Sequence, residues 1–500
     1  MVPIEGSLIK IAHISITLLG SFIVDWNTRL SKLLRIIGYS IPILFVFLYI
    51  DQVFQYQLWL VVFSSFISMG ISIHCQGYYR VLYGLARYPQ LIVDMVLVAI
   101  NMFLLSTLLI EVFIMWFILD FLIIILILME KGSENYHVAI TYLTLCVLPS
   151  DIALLTLWAI ESVEHGLSTP LFTSLVELAR NPIKAPWFMG LLVFFGFTAK
   201  LAQFPLHMWL PIVHTEAPSH GSAILSGLVV SKLGVFVLLL STLLISIHPL
   251  VYIIALIQGI ISSFYGFFAA SLQRDLKRIM SYSSVGYSGI LTLLIGMSGL
   301  YGLELTGLIL LYAIYHGVVK ALAFMNIGLV EQLTNTRDVY KLGYIDFMLP
   351  EAGVLCFIIV LNFIGLPPTA GFIAKAGLLL TILSNIGKMG LFTSALILAL
   401  IGAISVFSVL YSAKLLSSYT SDYTKILKPA LPVPREELIS EVYLAMLTLL
   451  VPFALSTLIN LPVILYIISI LSIPLLIFSI IHRIRVRELE ISYWLSGVEM

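Results

Sequence analysis

An all-α protein that crosses a membrane many times is expected here on three grounds. Sixty per cent of the 500 residues are hydrophobic and ten per cent are charged, where soluble domains carry about 25% charged residues. The mean hydropathy is +1.09. The apolar residues fall in runs long enough to cross a hydrocarbon core of about 30 Å at roughly 1.5 Å per residue. A soluble fold would have to bury most of this chain, so lipid is the solvent.

The runs lie near residues 6–25, 33–50, 55–75, 90–108, 110–129, 137–160, 187–213, 218–245, 249–270, 279–298, 303–330, 350–386, 390–413, 440–458 and 462–482. They number fourteen or fifteen, because the 90–129 and 440–482 blocks divide in more than one way. Lys10 and the apolar run to Val24 lack a small-residue cleavage pattern, which reads as a retained first span.

Orientation follows from lysine and arginine in the connections. Arg29 and Lys32 follow the first span, Arg80 and Arg87 the third, Lys131 the fifth. Arg274, Lys277 and Arg278 follow the ninth, and Arg337 and Lys341 the eleventh. Lys425, Lys428 and Arg435 follow the thirteenth, and Arg483, Arg485 and Arg487 the last. Odd connections are therefore expected in the cytoplasm and the N-terminus outside. The 161–185 connection carries Glu161, Glu164 and Glu177 beside Arg180 and Lys184, a polar spacing that suggests a helix lying at the membrane surface.

Several function classes fall away. Net charge is zero, which gives no reason for nucleic-acid binding. Cys75, Cys146 and Cys356 are far apart and form no metal or disulfide pattern. No Gly-rich phosphate loop, nucleophile triad or carboxylate pair stands in a soluble context, and no redox cofactor is expected in this chain.

Ionisable residues inside the spans carry the functional signal. Each costs about 2.5–3.5 kcal/mol to insert, and such groups face a bundle interior and mark ion or proton routes. They are Glu111, Asp120, Lys200, Lys232, His316, Lys320 and Lys375. His316 and Lys320 are four apart and share a helix face. Asp94 and Glu304 stand near span ends and read as interfacial. The lysines would repel one another, so a carboxylate should sit among them. Glu111 is the expected partner of Lys200, with Asp120 as the alternative. A lysine whose acid partner moves changes its hold on a proton, which couples charge to motion.

Prolines and glycines suggest broken helices. Pro205 and Pro211 fall in the seventh span; Gly365, Pro367, Pro368 and Gly371 fall inside the 350–386 run, too long for one straight helix and too short for two. Paired breaks at membrane depth line wet cavities and accompany inverted repeats in transporters. His207, His214 and His220 are too widely spaced for a typical zinc site. Their ordinary pKa suits proton relay at a cytoplasmic mouth.

The stretch PLHMWLPIVHTEAPSHGSAILSG, 205–227, resembles the signature PxHxWLPxAHxxAPxxxSAxLxG of antiporter-like membrane subunits. These occur in Mrp-type sodium/proton antiporters, the proton-pumping arm of respiratory complex I and membrane-bound hydrogenases. SKLG with Lys232, LQRDLKRIMSYSSVGYSG, HGVVKALAFMNIG and GLPPTAGFIAKAG follow in family order, so the resemblance spans most of residues 90–415. It implies two inverted five-helix repeats, each with a broken helix. The implied division is N-terminal helices at 1–89, a first repeat at 90–245, a second at 246–413, and a cytoplasmic connector with C-terminal helices at 414–500.

Carried over by motif, Glu111 is the family's span-five glutamate, Lys200 its partner and Lys232 the connecting lysine. His316 and Lys320 extend the path and Lys375 ends it. Two positions depart from the pattern. Family members often place Trp directly before the glutamate, whereas Glu111 follows Ile110. His220 stands where a small residue or proline is usual. No long lateral C-terminal helix is expected. The resemblance implies proton and/or sodium movement in a respiratory membrane complex, powered by redox partner subunits. A gradient-driven Mrp-type antiporter subunit and a transport-inactive scaffold are the alternatives.

Overall fold

The computed structural model describes residues 4–129, 135–421, 433–456, 458–459 and 461–498, with the backbone alone beyond 481. The described residues are helical almost throughout: α1 (Ile4–Phe22), α2 (Thr28–Leu48), α3 (Gln55–Tyr83), α4 (Arg87–Leu104), α5 (Leu109–Leu128), α6 (Tyr136–His165), α7a (Trp187–Lys200), α7b (Trp209–Glu216), α8 (Ser219–Leu244), α9 (Pro249–Leu272), α10 (Leu276–Tyr301), α11 (Thr306–Thr334), α12a (Pro350–Ile364), α12b (Ala370–Ser384), α13 (Leu391–Thr420), α14 (Arg435–Ala454) and α15 (Val463–Val498). Twelve of these are long and apolar enough to span, and α7a, α12a and α12b are shorter apolar helices. Lys131, Lys425 and Lys428 lie outside the described residues, and Arg483, Arg485 and Arg487 are described only as helix backbone.

Burial sorts the helices. The apolar windows of α8 and α11 are wholly buried, whereas that of α15 is 11% buried. Helices α8 and α11 are therefore the axis of the bundle and α15 lies at its periphery. Helices α9 and α10 approach closely through small residues: a Cβ on Gly259 would stand 2.5 Å from the Leu293 nitrogen. Without a hydrophobic force between helices in lipid, such close contact supplies the attraction.

The connections after odd-numbered helices meet one another at one end. Arg80 Nη2 donates to the Val24 carbonyl at 2.8 Å. Asp25 accepts from the Ala86 and Arg87 amides, each at 3.0 Å. Arg337 pairs with Asp275 at 3.0 Å. Connections after even-numbered helices meet elsewhere, with Leu175 N donating to Thr107 O at 2.8 Å and Ile183 N to Leu244 O at 2.9 Å.

Both expected breaks exist, and each is narrower than the sequence suggests. The first runs from Leu201 to Pro205, with Ala202 at φ +53°. Freed backbone groups find new partners there. Phe204 N donates to Ser262 Oγ at 3.0 Å, and Gln258 Nε2 donates to Phe204 O at 3.0 Å. Pro211 is not in the break. It sits in the first turn of α7b, where its missing N–H leaves no helical bond unmade. The second break runs from Gly365, at φ +82°, through Pro367 and Pro368 to Thr369. Gly371 lies beyond it in α12b, and its role is close approach, because any Cβ there would collide with the Asn362 carbonyl.

Three further expectations change. The 161–185 connection holds two single helical turns, Thr169–Phe172 and Leu175–Leu178, rather than one surface helix. The connector expected from 414 is shorter: α13 continues to Thr420 and α14 begins at Arg435, with residues 422–432 outside the described ones. Asp94 is fully buried rather than interfacial. It accepts from Tyr39 and Ser21 hydroxyls at 2.6 Å and from Gln90 at 2.7 Å, with Arg35 at 3.9 Å, which compensates the buried charge. Glu304 is exposed, as an end position should be.

Candidate functional site

The expected pairing of Glu111 with Lys200 does not form. Glu111 stands in the first turn of α5, where its Oε2 accepts from the Thr107 amide at 2.7 Å and caps the helix. Its Oε1 pairs with Lys10 of α1 at 2.8 Å. Asp120 lies two and a half turns farther along, roughly 13 Å at the helical rise, and it is Asp120 that pairs with Lys200. Both are almost completely buried. Lys200 is the last residue of α7a, so the break leaves its ammonium at a helix C-terminus, where the dipole favours a cation.

Side chains the sequence reading passed over complete this pair. Tyr142 of α6 donates its hydroxyl to Asp120 Oδ1 at 2.8 Å and lies 3.4 Å from Lys200 Nζ. Trp116, one turn before Asp120 on the same face of α5, places its ring 4.6 Å from Lys200 Nζ and donates Nε1–H to Asp151 at 2.9 Å. A five-residue π turn, Leu143–Val147, directly follows Tyr142. The Trp116–Asp120 spacing of four was the available signal, since it puts a ring and an acid together at mid-span.

Lys232, Lys320 and Lys375 form no ion pair among the described residues and are bound by oxygen. Lys232 is in a π-helical stretch of α8, Leu225–Leu233. Its Nζ donates to Gly227 O and Ala313 O, both at 3.1 Å. Lys320 of α11 donates to Met280 O at 2.8 Å and to Ser283 Oγ, with its Nζ 4.8 Å from the Phe363 ring. Lys375 reaches back from α12b to the open end of α12a, donating to Phe363 O at 2.8 Å and Ile364 O at 2.9 Å. Carbonyl and hydroxyl oxygens can accept from an ammonium or from an amine, so these sites accommodate both protonation states.

The helix axis brings the second half of the set together. Ala313, His316, Gly317 and Lys320 follow one face of α11 at helical spacing. Lys232 meets the first of them, and Lys320 is one turn past His316. The His316 ring lies 5.1 Å from Tyr287, and neither ring nitrogen has a hydrogen-bond partner in the structure. Tyr287 donates to Phe363 O, the carbonyl that also accepts from Lys375, at 3.4 Å. Lys232, His316, Lys320 and Lys375 thus form one contiguous file.

The three histidines of the 205–227 stretch occupy separate aromatic surroundings. His207 lies against Tyr265 at 4.8 Å between ring centroids, and His214 stacks on Phe324 at 4.4 Å. His220 bonds the Tyr79 hydroxyl at 2.7 Å.

A buried acid–lysine pair at one break, and a lysine file ending at a second, is a specific arrangement. Residues 106–402 match the family described as NADH:quinone oxidoreductase/Mrp antiporter, TM. The chain belongs to this family. It is similar to NADH-quinone oxidoreductase subunit M of Rickettsia typhi, 29% identical over 49% of this chain and 49% of that protein. It is also similar to Hydrogenase-4 component B of Escherichia coli, 35% identical over 37% of this chain and 29% of the relative. F(420)H(2) dehydrogenase subunit M of Methanosarcina mazei is 34% identical over 37% of each. The chain spans about half, or less, of the length of these relatives. In fold it resembles a chain of the Mrp complex from Dietzia sp. DQ12-45-1b, with a TM-score of 0.75 over 95% of this chain and 99% of that one at 16% identity. A chain of the membrane-bound sulfane sulfur reductase, an archaeal respiratory membrane complex, gives a TM-score of 0.69 over 88% of this chain and 76% of that one at 19% identity. The family's fold and its multi-pass membrane setting are those of this chain.

Proposed function

We propose that this chain is an ion-translocating, antiporter-like subunit of a membrane-bound respiratory complex. It moves protons and/or sodium ions and draws energy from redox partner subunits, holding no redox cofactor itself. The observation carrying this reading is the lysine file, Lys232, His316, Lys320 and Lys375, extending from the bundle axis to one helix break, while Asp120–Lys200 occupies the other. Buried charges of this kind are retained where ions pass.

In this mechanism the Asp120–Lys200 pair is the switch. With Asp120 in contact, Lys200 is held as a cation. Separation leaves the ammonium with rings and a hydroxyl, and its proton passes on. The carbonyl-lined lysines take and release charge in turn because their partners suit either form. His207, His214 and His220 serve the cytoplasmic side. The N-terminus lies outside and the odd connections lie in the cytoplasm; the meeting of those connections at one end, and their basic residues, support this orientation. The division at 90–245 and 246–413 into two repeats accords with one break in each.

The test is gradient formation in vesicles bearing the purified parent complex, read with a proton dye with and without sodium. Lys200→Ala is compared with wild type after assembly is verified. Loss of the gradient is expected, with electron transfer slowed or still running. An intact gradient would sink the proposal in favour of a scaffold. A gradient formed only when an ion gradient is imposed, and never by electron donors, would favour the Mrp-type alternative.

A further inference from the structure

Helix α14 carries Glu437 and Glu441, one turn apart on one face, and both are fully buried. His74 of α3 projects between them. It too is fully buried, its Nε2 is 3.7 Å from Glu437 Oε2 and 3.7 Å from Glu441 Oε1, and neither ring nitrogen makes a hydrogen bond among the described residues. Asn326 of α11 donates to the other Glu441 oxygen at 2.8 Å and is itself oriented by the Tyr419 hydroxyl of α13 at 2.7 Å. Three transmembrane helices thus converge on two acids and one imidazole, apart from the lysine file.

The neighbouring charged groups are engaged elsewhere. Lys32 of α2 bonds Glu436 at 2.9 Å, on the half-exposed side of α14. Arg35 of α2 serves Ser72, Gln76 and Asp94 behind α3. On the faces turned to the acids, α3 brings Cys75 and Tyr78, α11 brings Gln332 and Asn326, and α13 brings Tyr419. With both carboxylates ionised and the imidazole protonated, the cluster would keep one uncompensated negative charge in an apolar interior. That charge is costly unless a further positive charge joins it.

We propose that His74, Glu437 and Glu441 form a second proton-binding site, one that loads and releases a proton during turnover. This rests on the reading of the chain as ion-translocating. The transfer is a simple exchange: a carboxylic O–H of Glu437 or Glu441 breaks, and the proton forms an N–H bond at His74 Nε2, leaving carboxylate and imidazolium. Glu436, one residue before Glu437, is about a quarter exposed. On the inner side His74 stacks on Tyr78, with ring centroids 6.4 Å apart, and Tyr78 meets His220 at 5.3 Å. The charge at the α14 cluster is therefore felt at the histidine that follows α7b.

The test is pH-titrated infrared difference spectroscopy of the purified parent complex, in light and heavy water, with gradient formation measured in parallel. Wild type should show a carboxylic-acid carbonyl band that titrates and shifts on deuteration. Glu441→Gln and Glu437→Gln should each remove intensity from it and lose most of the proton gradient, and Glu441→Asp should restore both. A structural cluster with both acids permanently ionised gives no such band, and that result overturns the proposal. So does a band that both Gln variants leave unchanged. Displacement of the band by sodium at constant pH would overturn it in favour of a cation site. Should the Gln variants not assemble, His74→Gln must move the band's midpoint, and an unmoved midpoint overturns the proposal. Lys200→Ala is run alongside: a full gradient there removes the parent reading, whereas its loss beside unaffected Glu437 and Glu441 variants removes only this inference.

Discussion

Asp120 and Glu111 share one helix, yet their surroundings assign them different work. Glu111 is about a third exposed, caps the start of α5 and pairs with Lys10; Asp120 is buried against Lys200 and Tyr142. Glu111→Gln should therefore preserve ion translocation; it weakens a cap, worth about 1 kcal/mol, and removes the counter-charge of the largely buried Lys10. Asp120→Asn should abolish the proton gradient in vesicles. It also leaves a buried ammonium without its counter-charge, a loss of about 3–5 kcal/mol by precedent for broken buried pairs. Thermal unfolding of the solubilised complex should show the larger drop for Asp120→Asn. Equal transport in both variants would return Glu111 to the path. The lysines were legible in the sequence because apolar runs do not otherwise contain them. Which of the two acids pairs with Lys200 was not, because that pairing joins residues eighty apart and depends on depth within α5.

At the scale of elements, the spacing of α8 and α11 controls the middle of the lysine file. Gly317 lets the two backbones close: a Cβ there would collide with Lys232 Nζ and with the Gly227 carbonyl that Lys232 uses. The Gly227 oxygen is backbone and cannot swing aside, so Gly317→Ala must part the helices or displace the lysine. Small-to-large changes in packed interiors cost about 1–3 kcal/mol, and transport should fall further than stability does. Gradient formation normalised to assembled complex is the measurement, and wild-type transport would show that Lys232 tolerates displacement. The second break makes a similar demand. Gly371→Ala should push α12b off the Asn362 carbonyl and carry Lys375 away from Phe363 and Ile364, again lowering transport without removing a charge. The sequence announced this break through its glycine and prolines, but it could not say that Gly371 serves contact rather than turning.

Across the whole molecule, apolar runs locate the helices because every residue in lipid must satisfy its backbone within its own span. Runs expected at 249–270 and 279–298 became Pro249–Leu272 and Leu276–Tyr301. The run expected at 440–458 begins earlier, at Arg435, for a related reason. Glu437 lowers the hydropathy ahead of it, although Glu437 and Glu441 are both sheltered by α3 and α11, and burial among helices is invisible to a composition window. Sidedness admits a direct test because Cys75, Cys146 and Cys356 are all buried and should stay silent toward an impermeant thiol reagent. Tyr340 follows α11 and is exposed, as is Glu304 after α10. Their connections come after an odd and an even span, so they belong to opposite faces. In sealed right-side-out vesicles Glu304→Cys should label at once, and Tyr340→Cys only after permeabilisation. Reversal of that pattern would place the N-terminus in the cytoplasm. Labelling of both from one side would contradict the helix count between them, since α11 alone separates the two positions.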